Sequence, residues 1–364
     1  MIAKPKVLLG MSGGVDSSAS AVLLLEAGFE VIGGFMKNWS DKKCEEGEFE
    51  ECSWRTERRD AMRVAAQLNI PMVTFDFEEQ YRAQVYEYML AEYQAGRTPN
   101  PDILCNKFMK FGLFLDEADK LGCDFVATGH YARIHIDDDR QAHLLTGIDS
   151  NKDQSYFLCQ LNQDQLKRAI FPIGHLLKSE VREIARKNNL SVAEKKDSQG
   201  ICFVGKVEMV DFLKERIPER TGNIVTTDGT VIGQHKGFMY YTVGQREGLG
   251  VGGGPARYVV ERRPETNEVV VAIGEDDPRL YSTALTAVAL SETVPSTLNT
   301  IINTTIEARI RYRQPLSKCI VERIDGDQAF IRFLSPQRSV APGQFIAFYR
   351  GDELIGSGII DSAQ

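Results

Sequence analysis

Three stretches of the chain carry residue types and spacings that could do chemistry. Ser12-Gly13-Gly14-Val15-Asp16-Ser17-Ser18 follows the apolar run Val7-Leu8-Leu9-Gly10 and opens a helical pattern from Ala19 to Ala27. Strand, glycine turn and helix N-terminus together make an anion site: backbone N–H groups point at the ligand, the helix dipole favours negative charge, and glycine lets the backbone come close. The Gly-Lys-Ser/Thr ending of a Walker A loop is missing, so the loop brings no lysine of its own to the β- and γ-phosphates. An ordinary glycine-serine turn is the plain alternative. The double glycine followed by Asp16 and paired serines at a strand-to-helix junction favours phosphate.

The other two stretches centre on thiols. Cys105 ends Arg97-Thr98-Pro99-Asn100-Pro101-Asp102-Ile103-Leu104-Cys105, between two helical patterns, with Asp102 about one turn earlier. The two prolines predict a rigid, non-helical connection leading into a helix from Asn106. A thiol at a helix start has a lowered pKa and a nearby carboxylate can move protons, yet most cysteines of this kind are small buried apolar residues, and local context leaves both readings open. Cys202 follows Lys195-Lys196 and Gly200, an electropositive setting that suits a thiolate. Two such cysteines beside a phosphate-binding loop form a more specific combination, because a loop that activated a carbonyl oxygen with AMP would need a nucleophile to attack that carbon. The remaining five, Cys44, Cys52, Cys123, Cys159 and Cys319, lack that context; with no Cys-x-x-Cys pair, the set is neither a disulfide framework nor a clear metal site.

The elements that must position these groups alternate over the first 130 residues. Strand patterns at Val7 to Gly10, Val31 to Met36, Met72 to Phe77 and Phe125 to Thr128 are separated by helical ones at Ser17 to Ala27, Glu57 to Leu68, Glu78 to Tyr93 and Asn106 to Leu121. This predicts an α/β domain with a doubly wound parallel sheet, whose ligands sit at the carboxyl ends of strands, where the glycine loop, Met36 and Thr128-Gly129-His130 all fall. Helical patterns return at Asp164 to Ile170, Lys178 to Asn189 and Val207 to Ile217, followed by short β-rich runs. From Ser282 the text reads as strands only, among them Thr304 to Arg313 and Phe345 to Tyr349, which suggests a small barrel or sandwich. The expected division is a catalytic domain over 1–205, a small central α+β domain over 206–280, with 164–190 as a further candidate part of it, and a barrel-like domain over 281–364. Gly248-Leu249-Gly250-Val251-Gly252-Gly253 matches the dinucleotide fingerprint, but Pro255 and a strand follow it where a helix is required, so it reads as a loop.

Bulk composition narrows the partners. A formal net charge of −8 argues against nonspecific nucleic-acid binding, which needs many lysines and arginines. The eight basic and eight acidic residues from Ser282 onward leave the acidic excess in front of a neutral tail. In that tail, strand alternation would place Arg309, Arg311 and Arg313 on one face, either a phosphate contact or a solvated strand face. No apolar run is long enough to cross a bilayer, and Met1 to Lys6 leads straight into a strand, so a cytoplasmic protein is expected.

Taken together, the motifs resemble the tRNA-specific 2-thiouridylase family over essentially the whole chain. Ser12 to Ser18 resembles the PP-loop of ATP pyrophosphatases, which by itself is shared with GMP synthetase and argininosuccinate synthetase. The specific resemblance lies in the ordered series Gly10–Ser18, Phe35–Trp39, Ala95–Asn106, Ala127–Tyr131, Asp149–Leu158, Lys196–Phe203, Tyr241–Gly250, Arg311–Gln314 and Pro342–Gln344. The resemblance implies ATP- and Mg2+-dependent replacement of the C2 oxygen of the wobble uridine by sulfur in lysine, glutamate and glutamine tRNAs. It implies that Gly10, Met11, Ser12, Gly13, Gly14, Val15, Asp16, Ser17, Met36 and Gly129 hold ATP. Cys202 would carry a persulfide from a sulfur-relay protein fed by a cysteine desulfurase, Cys105 would release the sulfur and end in a disulfide with Cys202, and Asp102 would be the general acid/base. Asn100, Pro101 and Asp102 would meet the flipped base, and His130, Lys152, Asp153, Gln154, Arg311, Tyr312 and Gln344 the tRNA. The acidic Glu45 to Glu51 insert matches no motif. Two other readings compete, an amidating synthetase that uses ammonia and a noncatalytic RNA-binding protein. The first has no use for a cysteine pair, and the second has none for an intact glycine loop.

Overall fold

The computed structural model describes residues 4–40, 53–196 and 209–364. Cys202, Cys44, Cys52 and the acidic insert lie outside the described residues. The first sheet is parallel throughout. Its strands β1 (Lys6–Gly10), β2 (Glu30–Lys37), β3 (Met72–Asp76), β4 (Phe125–Ala127) and, beyond the hairpin described below, β7 (Ala169–Ile170) stand in the order β3-β2-β1-β4-β7. Val7, Leu8 and Leu9 are all fully buried because helices cover both faces. One face carries the helices Val15–Glu26 and Ser53–Gln67, the other a long helix over 101–120. Two glycines of β2 admit this packing: a Cβ on Gly34 would stand 2.5 Å from the Phe114 ring, and one on Gly33 2.7 Å from the Met11 sulfur. Strand order reverses between β1 and β4, and the crevice beyond their carboxyl ends is where such sheets bind ligands.

The 101–120 helix corrects the sequence reading of a non-helical connection before Asn106. It is α-helical over Pro101–Leu104, π-helical over Cys105–Leu113 and α-helical again over Phe114–Lys120. Pro101 occupies the first helical position, where its missing N–H is no loss and its fixed φ suits the helix; Asn100 caps it by accepting from the Ile103 N–H at 3.4 Å. The wider π register displaces carbonyls from their usual donors, and the Gln165 amide donates to two of them, Lys107 O at 3.0 Å and Phe111 O at 2.7 Å. The helix expected over Asp164 to Ile170 is shorter, Gln163–Lys167, because Ala169 and Ile170 form the edge strand β7.

A hairpin that the sequence reading leaves out, β5 (Ala132–Ile136) and β6 (Ala142–Thr146), branches from the first domain and pairs with the last strand of the chain. The central segment holds a short helix, Met209–Lys214, and a four-stranded sheet of β8 (Gly222–Thr226), β9 (Val231–His235), β10 (Arg257–Arg263) and β11 (Glu268–Ile273) in the order β10-β11-β8-β9. The glycine-rich 248–254 stretch is a loop with four positive-φ glycines and no following helix, as read from Pro255. The last six strands, β12 (Tyr281–Glu292), β13 (Thr305–Arg309), β14 (Ser317–Asp325), β15 (Gln328–Arg338), β16 (Phe345–Arg350) and β17 (Glu353–Ala363), form an antiparallel barrel closed by β12 on β17. β13 ends at Arg309, and Arg313 takes a left-handed φ of 62° in a turn, so the three arginines do not share a strand face as expected. Among the described residues no helix is long and apolar enough to cross a membrane.

Candidate active site

The loop after β1 is built to leave backbone donors unused. Gly14 stands extended at the N-cap of the Val15–Glu26 helix with no side-chain cap, and the first helical bond is Ser18 N–H to Gly14 O at 3.2 Å. Among the described residues the N–H groups of Val15, Asp16 and Ser17 have no protein acceptor. The serine hydroxyls brace the turn: Ser18 Oγ donates to Gly14 O at 2.7 Å, and Ser17 Oγ donates to the same carbonyl at 3.2 Å and accepts from Ser12 N–H at 3.3 Å. Gly129, after β4, closes the crevice from across the switch point. A Cβ there would stand 2.8 Å from Ser17 N and 2.9 Å from Asp16 C, filling the space over the unused donors. Gly13 holds φ +71°, and a Cβ on it would meet Glu57 O at 2.2 Å. Met11 and Met36 are buried and Met36 packs over Gly10, so these three offer a ligand only their backbone.

Two lysines that the sequence reading does not connect with the loop supply the positive charge, Lys195 being read there only as a neighbour of Cys202. Lys178, first residue of the Lys178–Lys187 helix, places Nζ 2.7 and 2.8 Å from the Asp16 carboxylate oxygens, and the Tyr131 hydroxyl donates to the same carboxylate at 2.8 Å. Lys195 Nζ donates to Gly13 O at 3.0 Å and Asp60 Oδ2 at 2.7 Å. Burial pushes the neighbouring Glu57 carboxyl up, with Lys195 opposing. Both lysines lie more than 160 residues downstream of the loop, and no local spacing connects them to it.

Asn100, Pro101, Asp102 and Cys105 lie on the first turns of the 101–120 helix. The helix precedes β4 in a parallel sheet, so its N-terminus faces the same carboxyl edge as the loop. Asp102 is half-buried; Cys105, where the α-helix turns into the π segment, is fully buried, the setting of the second of the two readings its local context leaves open. The approach to this helix is held by both later domains at Thr98. From the barrel, Pro342 O accepts from Thr98 N–H at 2.8 Å and the Gln344 amide donates to Thr98 O at 2.9 Å and Pro99 O at 3.2 Å. From β10, the buried Arg262 donates to Thr98 Oγ1 and Tyr241 O, each at 2.9 Å. Burial pulls that guanidinium down to about 10, with Tyr93 opposing.

The other residues expected at the tRNA sit in different settings. His130 is buried with Nδ1 2.7 Å from Thr128 Oγ1, and burial, with Lys110 adding, holds the imidazole well below its ordinary pKa. Asp153 is also buried: its carboxylate accepts from Gly147 N–H, Ser155 N–H and Ser155 Oγ and pairs with Arg309 at 3.1 Å, so its bonds tie the first domain to the barrel. Gln154 exchanges bonds with the Tyr131 backbone, while Lys152 is half-buried in the turn after Asp149. Arg311 donates to Arg338 O and Ser339 O, and the Tyr312 ring lies 4.5 Å from that of Phe157, beside the Cys105 helix.

An α/β nucleotide-binding domain with an open glycine loop at its switch point, a thiol-bearing helix on the same edge and two β domains gripping the approach to that helix defines a class of multidomain nucleotide-using enzyme. Residues 5–206 match the tRNA methyl transferase HUP domain, 210–273 the tRNA methyl transferase PRC-barrel domain and 292–360 the aminomethyltransferase beta-barrel domain. The tRNA-specific 2-thiouridylase MnmA of Streptococcus thermophilus is 48% identical over 99% of this chain and 96% of its own length; that of Streptococcus mutans is also 48% identical and that of Enterococcus faecalis 47%, with the same coverage. The chain belongs to the tRNA-specific 2-thiouridylase family, a family of tRNA sulfurtransferases.

Proposed function

We propose that this protein replaces the C2 oxygen of the wobble uridine by sulfur in lysine, glutamate and glutamine tRNAs, consuming ATP. The observation that carries the nucleotide half is the set of unused N–H groups at Val15 to Ser17, which Gly129 leaves uncovered and Lys178 and Lys195 flank. The uridine O2 attacks the α-phosphorus, pyrophosphate leaves, and C2 becomes electrophilic with AMP as its leaving group. A persulfide on Cys202 attacks C2 with its terminal sulfur and AMP departs with the oxygen. Cys105 thiolate then attacks the Cys202 sulfur, so the S–S bond to the base breaks, the thiocarbonyl remains on uridine and a Cys105–Cys202 disulfide forms; a two-electron thiol reductant resets the pair. Asp102 exchanges the protons. Asn100, Pro101 and Asp102 hold the extruded base, and His130, Lys152, Asp153, Gln154, Arg311, Tyr312 and Gln344 form or support the tRNA surface.

Magnesium fits as the counter-ion of the ATP phosphates. Among the described residues there is no cluster of three or more acidic, histidine or cysteine side chains that could hold it alone, and Asp16 is the loop's own carboxylate. Sulfur reaches Cys202 from a relay protein fed by a cysteine desulfurase, in the cytoplasm. The methyl transfer in two of the domain names is the second reading. Thiolation is favoured over it because a polyphosphate cradle has no role in transfer from a sulfonium donor. Product analysis with labelled ATP tests the nucleotide half: tRNA-dependent release of AMP and pyrophosphate is expected, and ADP with phosphate contradicts it.

A further inference from the structure

Asn106, the residue after Cys105, is 2% exposed. Its amide donates to Phe157 O at 2.9 Å, and since a carbonyl can only accept, that bond fixes which way round the amide sits. The other amide atom, Oδ1, is buried and among the described residues accepts no hydrogen bond. Leaving an acceptor buried and unused costs roughly 1–3 kcal/mol, and folded proteins leave few of them. This one is oriented by its own Nδ2 bond, adjoins the thiol and follows Asp102 by four residues, one helical turn.

We propose that Asn106 Oδ1 accepts the N3–H of the target uracil and distinguishes uracil from cytosine. N3 is bonded to C2, the carbon that receives sulfur, so an acceptor at N3–H pins the ring one bond from the reaction centre. Cytosine also has a C2 carbonyl open to activation, but its N3 is a bare lone pair that would face Oδ1 acceptor to acceptor. The inference rests on the reading of Cys105 as the sulfur-releasing thiol beside the extruded base, and it adds the group that selects that base. A site built to pair with a substrate N–H rejects the analogue that lacks it, because the buried acceptor is then left unpaired.

The test compares anticodon stem-loops carrying uridine or 3-deazauridine at the wobble position, the latter having C–H in place of N3–H, by fluorescence anisotropy. The wild-type protein should bind the 3-deazauridine loop about tenfold more weakly, the loss of one buried hydrogen bond. Asn106→Leu should bring the two affinities together by weakening the uridine loop, and Asn106→Asp, which keeps an acceptor at the same place, should retain a preference for uridine. A preference that survives unchanged in Asn106→Leu overturns the inference. Should Asn106→Leu not fold, the wild-type comparison decides alone, and equal binding of the two loops overturns it. Binding of neither loop by the wild-type protein overturns instead the wobble-uridine reading on which it rests.

Discussion

At Gly129 the missing side chain leaves open the space over the Ser17 N–H, where the proposed function puts a phosphate. The strand, turn and helix around Ser12 to Ser18 stand where the glycines and serines place them, but Gly13 and Gly14 alone do not make the crevice; a residue more than 110 positions later must also be bare. Gly129→Ala should weaken ATP binding roughly 10- to 100-fold, since its methyl group covers the Ser17 N–H and displaces at least one charge-assisted bond. Calorimetric titration of ATP into the variant checks this, and unchanged affinity refutes the placement of the phosphates. Lys178 and Lys195 show where residue-level reading stops. A lysine at a helix start carries no sign of the aspartate it will meet, and only the packing of the Lys178–Lys187 helix beside the Val15–Glu26 helix brings them together.

The parallel sheet is the most legible part at the level of elements, because strands buried on both faces must be continuous apolar runs, as Val7 to Leu9 are. The π segment from Cys105 is hidden, since nine residues are too few to distinguish its repeat from 3.6 and its stabilising donor, Gln165, comes from another helix. The β5–β6 hairpin is hidden for a different reason: its turn, Asp137 to Arg140, has no glycine, and Arg140 takes φ +59° unaided. That hairpin bears on stability. His143 places Nε2 3.0 Å from Asp137 and Nδ1 2.6 Å from Glu353 of β17, and these two carboxylates, Asp137 foremost, hold its pKa above the ordinary value. A raised folded-state pKa contributes stability that is fully present below the unfolded value and disappears as pH rises through the folded one. The melting-temperature gap between wild type and His143→Gln should therefore be widest near pH 5 to about 6 and close above the raised pKa. A gap that widens with pH contradicts this.

Three regions of the molecule meet at one backbone residue, Thr98, four positions before Asp102. The barrel holds its N–H and C=O, β10 holds its hydroxyl through Arg262, and a Cβ on Gly343 would collide with it at 2.9 Å. No reading of the 97–106 stretch in isolation foresees this, because the partners lie some 160 and 240 residues downstream. Arg262→Met keeps the buried stem but leaves Thr98 Oγ1 and Tyr241 O without their donor, which should destabilise the fold by roughly 1–3 kcal/mol. It should also lower tRNA thiolation more than tRNA-independent ATP binding, because the grip lies on the approach to Asp102 and not on the glycine loop. Equal loss of both shows that Arg262 serves only general stability.

The whole-molecule account joins a nucleotide cradle and a thiol helix at one edge of a sheet. It is tested most directly by the mass of the wobble nucleoside after purified protein is incubated with unmodified glutamate tRNA, ATP, magnesium and a persulfide donor. The account predicts a uridine heavier by the exchange of one oxygen for sulfur, formed only when ATP is present and absent with Cys105→Ser. A uridine heavier by a methyl group, or thiolation that proceeds without ATP, would contradict it.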